Sequence, residues 1–189
     1  ITALIAGFLN ENPDMTLQTI EGDSTFVKEL LTDGKCDIAF LRSESSSVKE
    51  FNSIPYMIDY LTAVLPATHP LAKADNLPFE QLRGETFLLF PEHSFINDLC
   101  IRECRNAGFE PHIAYTGNRG ATLIDLVRNG AGITLMMHHS ARQENDSSLA
   151  FIPVTPGIYS YISLNYAKEK PLSPQAESFV RYVKAHKRD

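Results

Sequence analysis

Polar and charged residues repeatedly follow the apolar segments of this sequence, at positions suited to binding a small ligand. Ligands of open α/β sheets lie outside the carboxyl ends of the strands, often against the N-termini of helices. The residues at such positions are Ser24, Arg42, Ser43, Ser94, Gly117, Asn118 and Arg119. Their hydroxyls, amide, backbone N–H groups and guanidiniums suit a small anion, most simply a carboxylate that an arginine binds through two hydrogen bonds.

Most of these residues also have a purely structural explanation. Ser24, Ser94 and Asn118 lie where helix caps are expected, and a cap contributes about 1 kcal/mol to stability without any ligand. Arg42 differs, because a cation at the end of an apolar strand has no capping role. The sequence leaves two alternatives open for Arg42, a ligand contact or a structural salt bridge.

Motifs for catalysis or metal binding are missing from the sequence. It contains no G-x-S-x-G, P-loop, G-x-G-x-x-G or H-E-x-x-H motif. His138 and His139 are adjacent, so in an extended segment their side chains would point opposite ways and make a poor metal pair. Cys100 and Cys104 share a helix face, but no second Cys or His pair completes a zinc site. We therefore expect no enzymatic activity, no metal and no cofactor.

The composition argues against several classes of protein. Among 189 residues, 43% are hydrophobic and the formal net charge is −6, so we expect a folded chain that does not bind nucleic acid by itself. The apolar runs are far shorter than the ~20 residues that cross a bilayer, so no membrane contact is expected. Three cysteines, two of them four residues apart, favour a reducing, cytoplasmic location over a disulfide framework.

Helical and strand patterns alternate along the chain. A helix, a Gly stop and an apolar strand follow one another in residues 30–42 and again in residues 126–138. Strands that alternate with helices of about ten to fifteen residues predict an α/β fold with a mostly parallel sheet. The repeated unit indicates two similarly built lobes. Alternating apolar residues also predict a strand over residues 15–20.

Four segments, taken in their order and spacing, resemble a known family. They are EGDSTFVKELLTDGKCDIAFLR, IPYMIDYLTAVLPATHPLA, FEQLRGETFLLF and AGFEPHIAYTGNRGATLIDLVRNGAGITLMM. The family is that of the effector-binding domains of LysR-type transcriptional regulators, and the resemblance runs essentially from end to end. One departure is the segment LMMHHSA, where the family often shows Leu-Pro.

The resemblance implies a fold similar to that of type 2 periplasmic binding proteins, with two Rossmann-like α/β lobes joined by two crossover strands. The first lobe would contain residues 1–60 and 162–189 without its first strand, and the second would contain residues 61–161. The segments YLTAVLP and YISLNYAK would be the crossovers. An N-terminal winged helix-turn-helix domain that binds DNA is expected in the family but is absent from this chain, which begins with Ile1.

The family's pattern also implies which residues contact the effector. It places the contacts at Ser24, Arg42, Ser43, Ser94, Phe95, Gly117 and Asn118, so all but Phe95 coincide with positions chosen on chemistry alone. The effector would be a small molecule, most simply an anion or small carboxylate, held in the cleft between the lobes. Arg42 would supply the charge from one lobe while the other lobe closes over it.

The resemblance further implies homodimers or homotetramers, with DNA bound only through the missing N-terminal domain. The antiparallel dimer would use helix 1–10 and the segment TLIDLV, unless those residues pack on their own sheet. Two alternatives share the fold. One is a solute-binding protein of a transporter, and the other is a lyase similar to prephenate dehydratases, whose catalytic cluster is not found here.

Overall fold

The computed structural model describes residues 1–141 and 146–186 and divides into two compact units. The first unit comprises Ile1–Ile58 with Ser160–Asp189, and the second comprises Asp59–Tyr159. The chain passes from the first unit to the second within strand β2 (Phe51–Pro66) and returns at the start of strand β8 (Tyr159–Ala167). The lobe boundaries implied by the family resemblance, after residues 60 and 161, remain a prediction.

In the first unit, helices pack against the strands, one of which contains Arg42. Its elements are α1 (Thr2–Glu11), α2 (Ser24–Thr32), β1 (Ala39–Ser43), the first part of β2, nearly all of β8, and α6 (Pro174–Ala185). Phe8 of α1 is buried, with its ring centroid 4.9 Å from that of Phe179 and 5.4 Å from that of Tyr182, both in α6. A second buried cluster, which includes Leu31 and Leu41, holds α2 against β1. The site-bearing ends of α2 and β1 therefore rest on packed apolar residues.

The second unit contains most of the short strands. Its elements are the rest of β2, then β3 (Leu77–Pro78), β4 (Thr86–Leu89), α3 (Phe95–Asn106), β5 (His112–Thr116), α4 (Gly120–Arg128), β6 (Thr134–Met137), α5 (His138–Ala141) and β7 (Leu149–Thr155). Two 3-10 turns, Pro70–Lys73 and Phe79–Leu82, lie between β2 and β4.

The prediction of a mostly parallel sheet is wrong. β5 pairs parallel with β4, and a parallel bridge between Phe87 and Ile133 sets β4 beside the start of β6. However, β2 pairs antiparallel with both β6 and β7, and β1 pairs antiparallel with β8. The direction of β2 depends on where the chain enters the second unit. The spacing of apolar residues within a strand does not predict that direction. Among the described residues, parallel pairing joins β4 to β5, β4 to the start of β6, and β3 to β7.

Helix ends follow the local signals of the sequence. The side chains of Asp23, Ser94 and Ser173 cap α2, α3 and α6 by accepting backbone hydrogen bonds. Gly34 and Gly108 follow α2 and α3 with φ of 69° and 78°, a left-handed conformation that costs glycine least. The predicted cap at Ser94 and the predicted glycine stop after α2 are confirmed, whereas α2 is capped by Asp23 and not by Ser24.

Two other expectations fail for reasons of tertiary packing. Residues 15–20 form neither a helix nor a strand in the structure, although Met15 and Leu17 do pack on the core of the first unit. In the segment TLIDLV, the side chains of Leu123, Ile124 and Val127 are buried in the core of their own unit. Those three residues are therefore not available as a dimer surface.

Candidate functional site

The first unit brings Arg42 together with two serine hydroxyls. The Arg42 backbone N–H donates to Ser24 Oγ at 3.3 Å, which ties the end of β1 to the first turn of α2. The Arg42 guanidinium donates through Nη1 to Ser160 Oγ at 2.6 Å. Ser160 has no exposed surface, and Arg42 is half-buried. The result is a guanidinium oriented by a buried hydroxyl at the carboxyl end of a strand.

Strand register explains how Arg42 reaches Ser160, which is 118 residues away in the chain. β1 and β8 are antiparallel, with Arg42 opposite Ile162. Ser160, two residues before Ile162, is therefore the diagonal neighbour of Arg42 on the same face of the sheet. The long side chain of Arg42 spans such a diagonal separation. Ser160 is not among the residues predicted from the sequence, because the predicted strand begins at Tyr161. A serine in the alternating pattern of YSYIS was the available signal.

Ser43, the last residue of β1, has a different role in this structure. Its hydroxyl donates to the backbone carbonyl of Ser45 at 2.6 Å and so shapes the turn after the strand. Ser43 remains a predicted ligand contact.

The site residues predicted in the second unit lie at two turns that follow strands. Ser94 caps α3, with Oγ accepting from Asn97 N at 3.4 Å and donating to Pro91 O at 2.7 Å. Phe95, the first residue of α3, is half-buried against the apolar core of this unit. The buried Asn97, which was not predicted from the sequence, donates to Phe90 O at 2.8 Å and fixes α3 to the end of β4. These contacts give Ser94 and Phe95 structural roles, and their ligand contacts remain predictions.

Gly117, Asn118 and Arg119 form the turn between β5 and α4. Gly117 N donates to Leu89 O at 3.0 Å, so this turn begins where β4 and β5 end together. Asn118 and Arg119 are exposed, and Arg119 stands at the N-cap position of α4 without a side-chain capping bond. The turn therefore presents an amide and a guanidinium to solvent, and its part in ligand binding remains a prediction.

A cluster around Asp59 was not anticipated. Asp59 is fully buried in β2, and its Oδ1 accepts from Tyr60 N at 3.0 Å and His139 N at 3.1 Å. The same oxygen lies 3.1 Å from His139 Nδ1. His138 stacks on Tyr60 with ring centroids 4.3 Å apart. The expectation of an extended His138-His139 pair is thus corrected, because both residues begin the short helix α5. A charged residue inside an apolar strand was the signal for this cluster.

The cysteines do not form a metal site. Cys100 and Cys104 are free thiols without exposed surface. Burial raises the pKa of Cys104 to about 12 and raises the pKa of Cys100 well above its ordinary value. In residues 1–141 and 146–186, no group of three or more His, Cys, Asp and Glu side chains is placed to hold a metal ion. These thiols act as small apolar groups of the core.

We expect only Cys36 to react with iodoacetamide when the folded chain is treated at pH 8. The thiolate is the reactive form. Burial raises the pKa of all three thiols, so Cys36 should react slowly. Cys36 is only half-buried, whereas Cys100 and Cys104 have no exposed surface and stay out of reach of the reagent. Mass spectrometry should count one adduct on the folded chain and three after denaturation in guanidinium chloride. The Cys36→Ser chain should carry none when folded, and rapid labelling of that variant would contradict the buried position of the other two thiols.

Among the described residues, no helix is both long and apolar enough to span a membrane. The remaining observations come from comparison with known proteins. The sequence profile of the family described as LysR substrate binding domain matches residues 1–188. The transcriptional dual regulator GltC of Bacillus subtilis (strain 168) is 25% identical over 184 residues, which cover 97% of this chain and 61% of GltC.

Two solved structures share the fold. The regulatory domain of CcmR from Synechocystis PCC6803, solved in complex with 2-PG, has a TM-score of 0.89 at 16% identity and covers 100% of this chain and 91% of its own. The effector binding domain of QuiR, solved in complex with shikimate, has a TM-score of 0.80 at 19% identity and covers 98% of this chain and 89% of its own. The chain therefore belongs to the LysR substrate binding domain family, and it has the two-lobed α/β fold of the effector-binding domains of LysR-type regulators.

Proposed function

We propose that this chain senses a small anionic effector for a bacterial LysR-type transcriptional regulator. The observation that carries the proposal is the Arg42 guanidinium, held 2.6 Å from the buried Ser160 hydroxyl where β1 ends beside the start of α2. Two proteins of the same fold were solved with small ligands, 2-PG and shikimate, and shikimate is a carboxylate.

The chemistry of this group of residues suits a carboxylate or a small inorganic anion. A guanidinium carries its donors in a planar fork that matches two carboxylate oxygens, and the anion would share the hydroxyls of Ser24 and Ser43. Ser160 has no exposed surface, so its role is to orient Arg42 and not to contact solvent. An effector that binds one conformation of the chain better than another shifts the population toward that conformation, which is how the signal would reach the DNA-binding part.

Binding of a panel of small carboxylates and inorganic anions, measured by thermal unfolding and calorimetry, tests the proposal. We expect a selective ligand to stabilise the folded chain by about 2.7 kcal/mol at a hundredfold excess over its dissociation constant. Arg42→Met should raise that dissociation constant by tenfold to about a hundredfold, because hydrogen bonds to charged groups contribute roughly 1.5–3 kcal/mol.

The matched control is Arg181→Met, which removes an exposed arginine from α6 of the same unit. It should bind the ligand as the unaltered chain does. Equal affinity of the two methionine variants would refute a ligand role for Arg42 and leave it as a structural residue. Unfolding of the Arg42→Met chain without ligand shows separately what the Ser160 contact contributes to stability.

We propose the remaining properties from family membership. The chain spans about three fifths of the length of GltC, which leaves room for a DNA-binding domain outside it. The net charge of −6 favours DNA contact through that domain and not through this chain. A homodimer or homotetramer that uses α1, a cytoplasmic location, and the absence of any enzymatic activity belong to the same proposal.

A further inference from the structure

The second unit contains an open cavity of about 290 Å³, and Arg42 is not among the residues that line it. Among its lining residues are Tyr60, Asn76, Pro153, Thr155, Gly157 and Tyr159. All of them belong to the second unit, whereas Arg42, Ser24 and Ser160 belong to the first. A hydrogen bond from Leu61 N to Ile158 O at 2.8 Å joins β2 to the turn before β8 and frames the cavity.

Two tyrosine rings are held at this cavity. The ring of Tyr60 stacks on His138 at a centroid distance of 4.3 Å and an interplanar angle of 21°, which fixes its orientation. The ring of Tyr159 lies against Gly157, because a Cβ on that glycine would stand 2.9 Å from the phenol oxygen and 3.0 Å from a ring carbon. Tyr159 is nevertheless 57% exposed, so its ring is positioned while much of its surface remains in contact with water.

The chemistry of the lining differs from that of the Arg42 site. None of the lining residues carries a charge, and Asn76 and Thr155 offer an amide and a hydroxyl beside the apolar Pro153 and Val154. Aromatic rings favour aromatic partners in stacked or edge-to-face contact. An apolar cavity of about 150 Å³ is large enough for benzene, so this volume accommodates one substituted ring.

We propose that this cavity, which we call the tyrosine pocket, is a second ligand site for a small neutral aromatic molecule that carries a hydrogen-bonding group. The two tyrosines contact the ring of the ligand, and Asn76 and Thr155 bind its polar substituent. Tyr60 is the second residue of the second unit, and Tyr159 is its last residue. A ligand in the tyrosine pocket thus contacts both crossover strands.

Titration of the ¹⁵N-labelled chain with benzamide, followed by ¹H–¹⁵N correlation spectra, tests the proposal. We expect saturable shifts at the Gly157 amide and the Asn76 side chain. Tyr159→Ala should raise the dissociation constant about tenfold, since an aromatic contact adds to the burial of the ring. Gly157→Ala should weaken binding as well, because its methyl group displaces the Tyr159 ring. Cyclohexanecarboxamide, which has the same amide without an aromatic ring, should bind more weakly than benzamide.

The matched control is Tyr115→Ala, which removes an exposed tyrosine from β5 of the same unit, and it should leave benzamide binding unchanged. Arg42→Met should also leave it unchanged, so failure of the anion proposal and failure of this one are separate results. Shifts that do not saturate, or equal affinities for the Tyr159→Ala, Gly157→Ala and Tyr115→Ala chains, would overturn the tyrosine pocket as a site.

Discussion

Replacing Phe8 with alanine is expected to lower the free energy of unfolding by about 4 kcal/mol, within the range of roughly 3–5 kcal/mol for buried phenylalanines. Phe8 is 1% exposed, and its ring meets Phe179 and Tyr182 edge-on at centroid distances of 4.9 and 5.4 Å. The substitution leaves a cavity between α1 and α6 and removes two aromatic contacts at once. Chemical denaturation followed by circular dichroism measures the change.

Phe26→Ala provides the matched control, because it removes the same side chain from the same unit at a position that is 43% exposed. Its cost should be about 1 kcal/mol or less, since little apolar surface returns to water. Similar losses for the two variants would show that α1 is not packed on α6 as described.

Replacing Asp59 with alanine is expected to cost about 3 kcal/mol of unfolding free energy. The carboxylate is fully buried, and one of its oxygens accepts the backbone N–H groups of Tyr60 and His139 and lies beside the His139 imidazole. Alanine leaves these donors without that acceptor, and each buried unsatisfied group costs roughly 1–3 kcal/mol. The same denaturation measurement detects the loss.

One further variant of Asp59 shows whether the hydrogen-bond acceptor or the charge matters, and an exposed aspartate provides the control. Asp59→Asn keeps an oxygen that accepts hydrogen bonds, so it should cost about 1 kcal/mol, less than alanine. Asp75→Ala, at an exposed position of the same unit, should change stability by no more than about 0.5 kcal/mol. If Asp59→Ala were as mild as Asp75→Ala, Asp59 would not hold α5 against β2.

The features that were predictable from the sequence are those whose physics is local. Ser94 and Ser173 precede helical patterns and cap them, and Gly34 and Gly108 end helices in the left-handed conformation that glycine adopts at low cost. Each of these outcomes depends on residues within one or two turns of helix. For the same reason the alternation of helices and strands, and with it the α/β class, was already present in the sequence.

Strand partners and directions required the tertiary structure. Residues 15–20 alternate like a strand but pair with none among the described residues, because a strand exists only when another segment completes its hydrogen bonds. The antiparallel pairing of β2 with β6 and β7 likewise depends on where the long crossover enters the second unit.

The residues of the candidate site likewise fall into those that were predictable from the sequence and those that only the structure identified. Arg42 could be chosen from its position at the end of an apolar strand, and its chemistry needed no structure. Its partner Ser160 lies 118 residues away, and His139 lies 80 residues from Asp59. Such pairs meet only because sheet register and helix placement bring distant segments together. The sequence by itself thus determined which residues could bind an anion, and only the folded chain decided which hydroxyl orients the arginine and which donors satisfy the buried carboxylate.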